Sequence, residues 1–188
     1  MLIDITLNVT PEMLKEASEL KNPALIGHLG THFDAMDKQF PLEYTKLDGI
    51  VFDVSAVKER DIDINDINLS PVQKNMFIAF FTGFIDEIGY GNNGYFSAHP
   101  QLSKELIEAL IQKGVSIIGL DFAGVRRGAE HIPTDQYCAE FGTFIIENLV
   151  NLNALLEKGG KFTANTYPMN IQGITGLPCR VIAEIQDY

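Results

Sequence analysis

Basic residues are scarce in this chain: 14 lysines and arginines stand against 25 aspartates and glutamates among 188 residues, a formal net charge of −11. A surface of that sign repels nucleic acid and anionic membranes, so neither is an expected partner. Cysteine is scarcer still. Cys138 and Cys179 lie far apart and form no CxxC pair, which argues against a disulfide framework and leaves two reduced core thiols. No run approaches the roughly 20 apolar residues that span a bilayer. The opening Met1-Leu2-Ile3-Asp4-Ile5 lacks the basic start of a secretion signal, so a cytoplasmic protein is expected. Repeats, low-complexity tracts and linkers are absent too. With 46% hydrophobic and 21% charged residues, the composition predicts a single globular domain over residues 1–188.

Histidine numbers only four, yet two fall in one heptad, His28-Leu29-Gly30-Thr31-His32-Phe33-Asp34. Two imidazoles four positions apart and a carboxylate two further on can converge on one divalent cation if the backbone folds tightly between them. Gly30-Thr31 suits such a fold. On a helix His28 and His32 would share a face, but Gly30 weakens a helix and Asp34 would project elsewhere, so a loop or strand end is expected. The alternative is two loop histidines and a turn aspartate with no common ligand.

Partial alternation over Leu2–Val9 predicts an opening strand. Thr10 as N-cap and Pro11 at the first helical position predict a short helix to about Leu20, and an apolar run, Ala24–Ile26, leads into the heptad. Gly49–Val54, Val115–Asp121 and Phe144–Leu149 read as buried strands. A helix over Ser103–Lys113, ended by Gly114 just before the second of these, is the mark of α/β architecture. Asn75–Phe84 is nearly all apolar. Gly89, Gly91 and Gly94, interleaved with tyrosine and asparagine, predict a flexible loop; lacking a Gly-Lys-Ser/Thr ending, it is no phosphate cradle. Another helix is expected over Asp135–Glu140, and a closing strand pair over Phe162–Met169 and Cys179–Ile185. Asp61, Asp63 and Asp66 lack the central glycine and closing glutamate of a calcium loop. His99 reads as a loop or capping residue. Arg126 and Arg127, just past a strand end, would either grip a substrate carboxylate or form a solvated surface pair.

The heptad resembles the first half of the signature H-x-G-T-H-x-D-x-P-x-H of the cyclase family of metal-dependent hydrolases, which includes bacterial kynurenine formamidase and isatin hydrolase. Thr82-Gly83-Phe84, Pro100-Gln101-Leu102-Ser103, Gly119-Leu120-Asp121 and Ile146-Glu147-Asn148-Leu149 are similar to the family's T-G-W, P-G-L-S, G-V-D and I-E-N-L, in the same order. Cys179-Arg180-Val181-Ile182 falls where its closing P-x-R strand lies. The resemblance implies an α/β protein of the swivelling β/β/α type, with a central barrel-like mixed sheet and flanking helices. It also implies a homo-oligomer, dimer or tetramer, that hydrolyses an amide or cyclic amide with Zn²⁺ or Mn²⁺. His28, His32 and Asp34 match the family's metal ligands, and Glu147 matches a glutamate that helps hold the metal centre.

Three positions depart from the pattern. Met36 replaces the motif's proline, Lys38 its last, acid/base histidine, and Asp135 a histidine twelve residues before the glutamate. An aspartate can itself ligate either metal, and His131, one helical turn upstream, reaches a similar place if its helix begins early. One metal or two are both open. The function expected is metal-dependent hydrolysis, a divalent ion activating water for attack on the carbonyl carbon of a small molecule. His131 is then the candidate general acid. Lys38 either stabilises the oxyanion, replaces the charge of a lost second metal, or is a surface lysine beside Asp37. The rival is a non-catalytic small-molecule or metal-binding protein on the same scaffold.

Overall fold

A strand covered on both faces needs an unbroken apolar run, and three of this chain's strands meet that requirement. In the computed structural model, which describes residues 1–19 and 27–185, β4 (Met76–Phe81), β5 (Ile117–Leu120) and β6 (Phe144–Glu147) are buried along almost their whole length. The expected run at 24–26 and the helix end at Leu20 lie outside the described residues. With β3 (Lys46–Asp53) these strands form a parallel set in the order β3, β4, β5, β6. β7 (Lys161–Pro168) and β8 (Gly176–Glu184) alternate between buried and open positions and pair antiparallel. β2 (His32–Asp34) joins β8 to β6, β7 pairs with β3, and the β7–β8 pairing closes seven strands into a mixed barrel. β1 (Leu2–Asp4) adds to the outside of β8. It is shorter than expected because Asp4 Oδ1 accepts from Thr6 N at 3.1 Å, turning the chain out of the ladder.

One face of the seven strands, including Phe33, Val51, Phe77, Ile146, Phe162 and Val181, packs into a single buried cluster inside the barrel. The opposite face of β4 to β6 meets helices. α1 (Pro11–Glu19) and the short α2 (Phe84–Ile88) and α3 (Asn93–Ala98) come first in the chain. α4 (Lys104–Gln112), capped by Ser103 accepting from Leu106 N at 3.1 Å, buries Leu106, Ile107 and Leu110 against Ile78, Phe80 and Ile118. Here the 89–95 stretch differs from the expected loop: Asn92 Oδ1 caps α3 by accepting from Tyr95 N at 2.9 Å, and Tyr95 is wholly buried. α5 runs His131–Glu140, four residues earlier than expected. Pro133 falls in its first turn, where a missing N–H breaks no helical bond. α6 (Leu152–Leu156) packs differently, sending Leu152 and Leu155 into the cluster inside the barrel. Among the described residues no helix is long and apolar enough to cross a membrane.

Candidate metal centre

Alternation along β2 sends Phe33 into the barrel core and leaves His32 and Asp34 on the other face, both at least 97% buried. β2 pairs with β6 in the register His32↔Glu147, so these two side chains are cross-strand neighbours. His28 comes from the turn before β2. Its Nδ1 lies 3.2 Å from Asp34 Oδ1, which is 3.4 Å from His32 Nε2. Gly30, at φ +69°, supplies the left-handed step that brings the two rings together, and they meet edge to face at 4.7 Å. Gly176 makes room for His28: a Cβ there would stand 2.7 Å from Nδ1. The expected strand-end placement is what the fold delivers.

A second trio faces the first. His131 and Asp135 lie one turn apart on α5, and His131 Nε2 is 3.0 Å from Asp135 Oδ2 and 3.1 Å from Glu147 Oε1. The other oxygen of Glu147, Oε2, is 3.4 Å from His32 Nε2, so this carboxylate spans both groups. Gly124 lies under His131, where a Cβ would meet the ring at 2.9 Å.

The donor set fits divalent ions. Within each trio, His28-His32-Asp34 and His131-Asp135-Glu147, the potential ligand atoms lie within 4.8 Å of one another. His32 Nε2, Asp34 Oδ2 and Asp135 Oδ1 are buried without a hydrogen-bond partner, a cost that a bound cation removes. Imidazole nitrogen mixed with carboxylate oxygen is the donor chemistry of Zn²⁺ and Mn²⁺ sites. Without an ion, protons take up the excess negative charge. Burial works against a charge on His32, yet Asp34 and Glu147 outweigh it and raise the imidazole to about 9. Hydrogen bonds to Asp135 and Glu147 raise His131 to about 11. Burial lifts Asp135 to about 7, whereas Asp34, although burial disfavours its charge, is held well below the carboxylate range by His32 and His28.

The candidate ligands are themselves anchored. His32 Nδ1 lies 2.9 Å from the Gly30 carbonyl, which also accepts from Asn148 Nδ2 at 2.8 Å. Tyr95 OH donates to Asn148 Oδ1 at 2.6 Å, and Thr31 Oγ1 to the Asn148 carbonyl at 2.7 Å. An imidazole whose Nδ1–H is held by a carbonyl presents the lone pair of Nε2. His28 Nε2 is 2.9 Å from Thr175 Oγ1. None of Asn148, Tyr95 or Thr175 stood out as a site residue in the sequence; Asn148 alone carried a signal, as part of the I-E-N-L block.

Both trios open into a cavity of about 500 Å³, walled by Met13, Leu29, Met36, Phe96 and Ile132 among others. Lys38 and the two arginines do not line it. Lys38 Nζ pairs with Asp37 at 3.1 Å on the surface, which is the third of the roles weighed for it. Four of the five N–H donors of Arg126 go to Asp61, Glu130 and the Leu102 carbonyl, which ties the guanidinium down away from the cavity. Arg127 N donates to Gln101 Oε1 at 2.8 Å, and its chain carries no contact into the cavity. His99 stacks on Phe122 with Nδ1 2.7 Å from the Pro100 carbonyl, outside both trios.

Residues 3–126 match the sequence model of the cyclase family, described as “Putative cyclase”. The chain belongs to the cyclase family. That match takes in the His28 trio, while the His131 trio lies beyond it. No curated protein sequence matches this cyclase. Among solved structures it is similar to a potential metal-dependent hydrolase with cyclase activity, at 23% identity over 97% of this chain and 96% of that one, with a TM-score of 0.77. Isatin hydrolase A from Ralstonia solanacearum superposes with a TM-score of 0.75 at 18% identity, over 97% of this chain and 91% of that. Isatin hydrolase A from Labrenzia aggregata, bound to benzyl benzoate, gives 0.74 at 16%, over 97% and 93%. At these identities the likeness is one of fold.

Proposed function

We propose that this cyclase is a metal-dependent hydrolase of a small amide or cyclic amide, of the arylformamidase type. The observation that carries the reading is the pair of buried trios, joined through Glu147 and left with unpartnered ligand atoms at the floor of a cavity. The isatin hydrolases and the metal-dependent hydrolase of the same fold support it. His28, His32 and Asp34 hold one divalent ion, Zn²⁺ or Mn²⁺. His131, Asp135 and Glu147 hold a second, which takes His131 out of the general-acid role and makes it a ligand.

Ions bound there supply an activated water and polarise a carbonyl. The chain does the rest. Met36, Phe96 and Ile132 form an apolar slot that orients a flat substrate and excludes bulk water, and about 500 Å³ suits a molecule of one or two rings. The Gly30 carbonyl keeps His32 in the Nδ1–H tautomer, so that Nε2 faces the centre throughout. A cytoplasmic homo-oligomer, dimer or tetramer, belongs to the same proposal. Leu42, Met169 and Ile171, exposed along a second groove that adjoins the cavity at Met36 and Thr175, support assembly.

The test is purified protein with Zn²⁺ or Mn²⁺ against formanilide and phthalimide. Hydrolysis that chelation stops and His32→Ala abolishes is expected. Activity indifferent to both refutes the metal mechanism, and bound metal with tight ligand binding but no product assigns the protein to the non-catalytic binder.

A further inference from the structure

Hydrolysis of a carbonyl builds negative charge on its oxygen, and a fixed donor aimed at that oxygen is commonly the largest protein contribution to rate. Outside the two trios, the protic side chains on the cavity wall are Tyr90, Asn148 and Thr175. Neither of the last two suits the role. Asn148 is committed between Gly30 and Tyr95, and Thr175, which meets His28 Nε2 at 2.9 Å, stands at an exposed position where solvent takes its proton. The Tyr90 hydroxyl instead accepts, taking a bond from Gly30 N at 2.9 Å, and among the described residues its own proton has no acceptor. An oxygen that receives a donor on one side must direct its O–H elsewhere.

The phenol is rigidly placed. Gly89 and Gly91, at φ +82° and +90°, turn the chain on either side of it, and its ring packs edge to face on Tyr95 and Phe96 at 5.3 and 5.9 Å. Gly30 ties it to the metal centre: the N–H of that residue holds Tyr90, and its carbonyl anchors His32. The geometry points to Tyr90 as a catalytic residue, a phenol that donates a hydrogen bond to the substrate's carbonyl oxygen as that oxygen gains charge. It takes the oxyanion role that Lys38 is placed too far out to fill. This rests on the hydrolase reading above. Tyr90 itself gives up no proton: its O–H bond stays intact, the hydrogen bond strengthens as the water oxygen bonds to the carbonyl carbon, and it relaxes when the C–N bond breaks and the leaving nitrogen takes the proton given up by that water. Burial, with the Glu147 carboxylate nearby, keeps the phenol above its ordinary pKa and so a donor at neutral pH.

The experiment compares wild type with Tyr90→Phe, both loaded with Zn²⁺ or Mn²⁺, in three readouts: metal content, formanilide turnover, and calorimetric binding of phenylphosphonate as a tetrahedral anion. Expected are an unchanged metal content, kcat lower by about 100- to 1,000-fold with little change in KM, and phenylphosphonate affinity lower by about tenfold or more. Phenylphosphonate affinity left equal to wild type overturns the proposal. So does a loss of metal in step with activity, which makes Tyr90 a mere prop for Gly30. Wild type that holds metal and loses phenylphosphonate on Tyr90→Phe, but hydrolyses no amide, keeps the donor and sinks the reaction assigned. Wild type that takes up no metal sinks both.

Discussion

His32 uses both ring nitrogens, one on the Gly30 carbonyl and one facing the candidate ion site, and Asn148 holds that carbonyl in place. Asn148→Asp keeps a side chain suited to the left-handed backbone at φ +60° and the acceptor for Tyr95, but loses the donor to Gly30. We expect its Zn²⁺ affinity, measured by calorimetric titration, to fall about 10- to 100-fold. Gly176→Ala should weaken the His28 side of the centre by steric means, since the new Cβ would press on the ring at 2.7 Å. Equal Zn²⁺ affinity in either variant would show that these neighbours do not set the ligand geometry. The sequence made His28, His32 and Asp34 legible because their geometry is local. Asn148 reaches Gly30 across 118 residues, and Tyr90 reaches it across 60, so no spacing rule points to them.

Between elements, the clearest tie is Asp121, buried just after β5. Its oxygens accept from Thr82 N at 2.8 Å, Thr82 Oγ1 at 2.6 Å and Gly83 N at 2.7 Å, fastening the end of β4 to the end of β5. The G-L-D and T-G-F blocks thus meet in one hydrogen-bonded knot. Asp121→Ala strands these donors, and a loss of about 2 kcal/mol or more is expected in urea unfolding; a change near zero would mean that water satisfies them. The buried strands were readable because apolar runs bounded by glycine have one plain solution. The helices at 84–98 were not, since their stability comes from the packing of Tyr90, Tyr95 and Phe96 rather than from helical periodicity. Nor was the early start of α5, which follows from a proline that the first turn tolerates and the interior does not.

For the molecule as a whole, the centre concentrates negative charge in a protein already at −11. In the metal-free state His32 is raised to about 9, His131 to about 11 and Asp135 to about 7, all above their unfolded values. The native state therefore binds the extra protons. The stability they contribute is present below the unfolded values and lost as pH climbs through the folded ones. Metal-free protein should melt at progressively lower temperature from about pH 6.5 to 9. Asp34 runs the other way, its depressed pKa costing stability only in acid. Metal competes with those protons, so the stabilisation by Zn²⁺ should grow over the same rise in pH. A metal-free melting temperature that climbs between pH 6.5 and 9 would contradict this charge balance. Barrel closure was visible only through the resemblance, because it depends on β7 pairing with both β3 and β8, contacts that no local pattern encodes.

The account turns on ions held between β2, β6 and α5, and elemental analysis of the purified protein tests it most directly. Two divalent ions per protomer are predicted in wild type, with both weakened by Glu147→Ala, which removes the carboxylate common to the two trios. A wild-type protein without Zn²⁺ or Mn²⁺ after dialysis against either, or a Glu147→Ala variant that keeps its full complement, would contradict it.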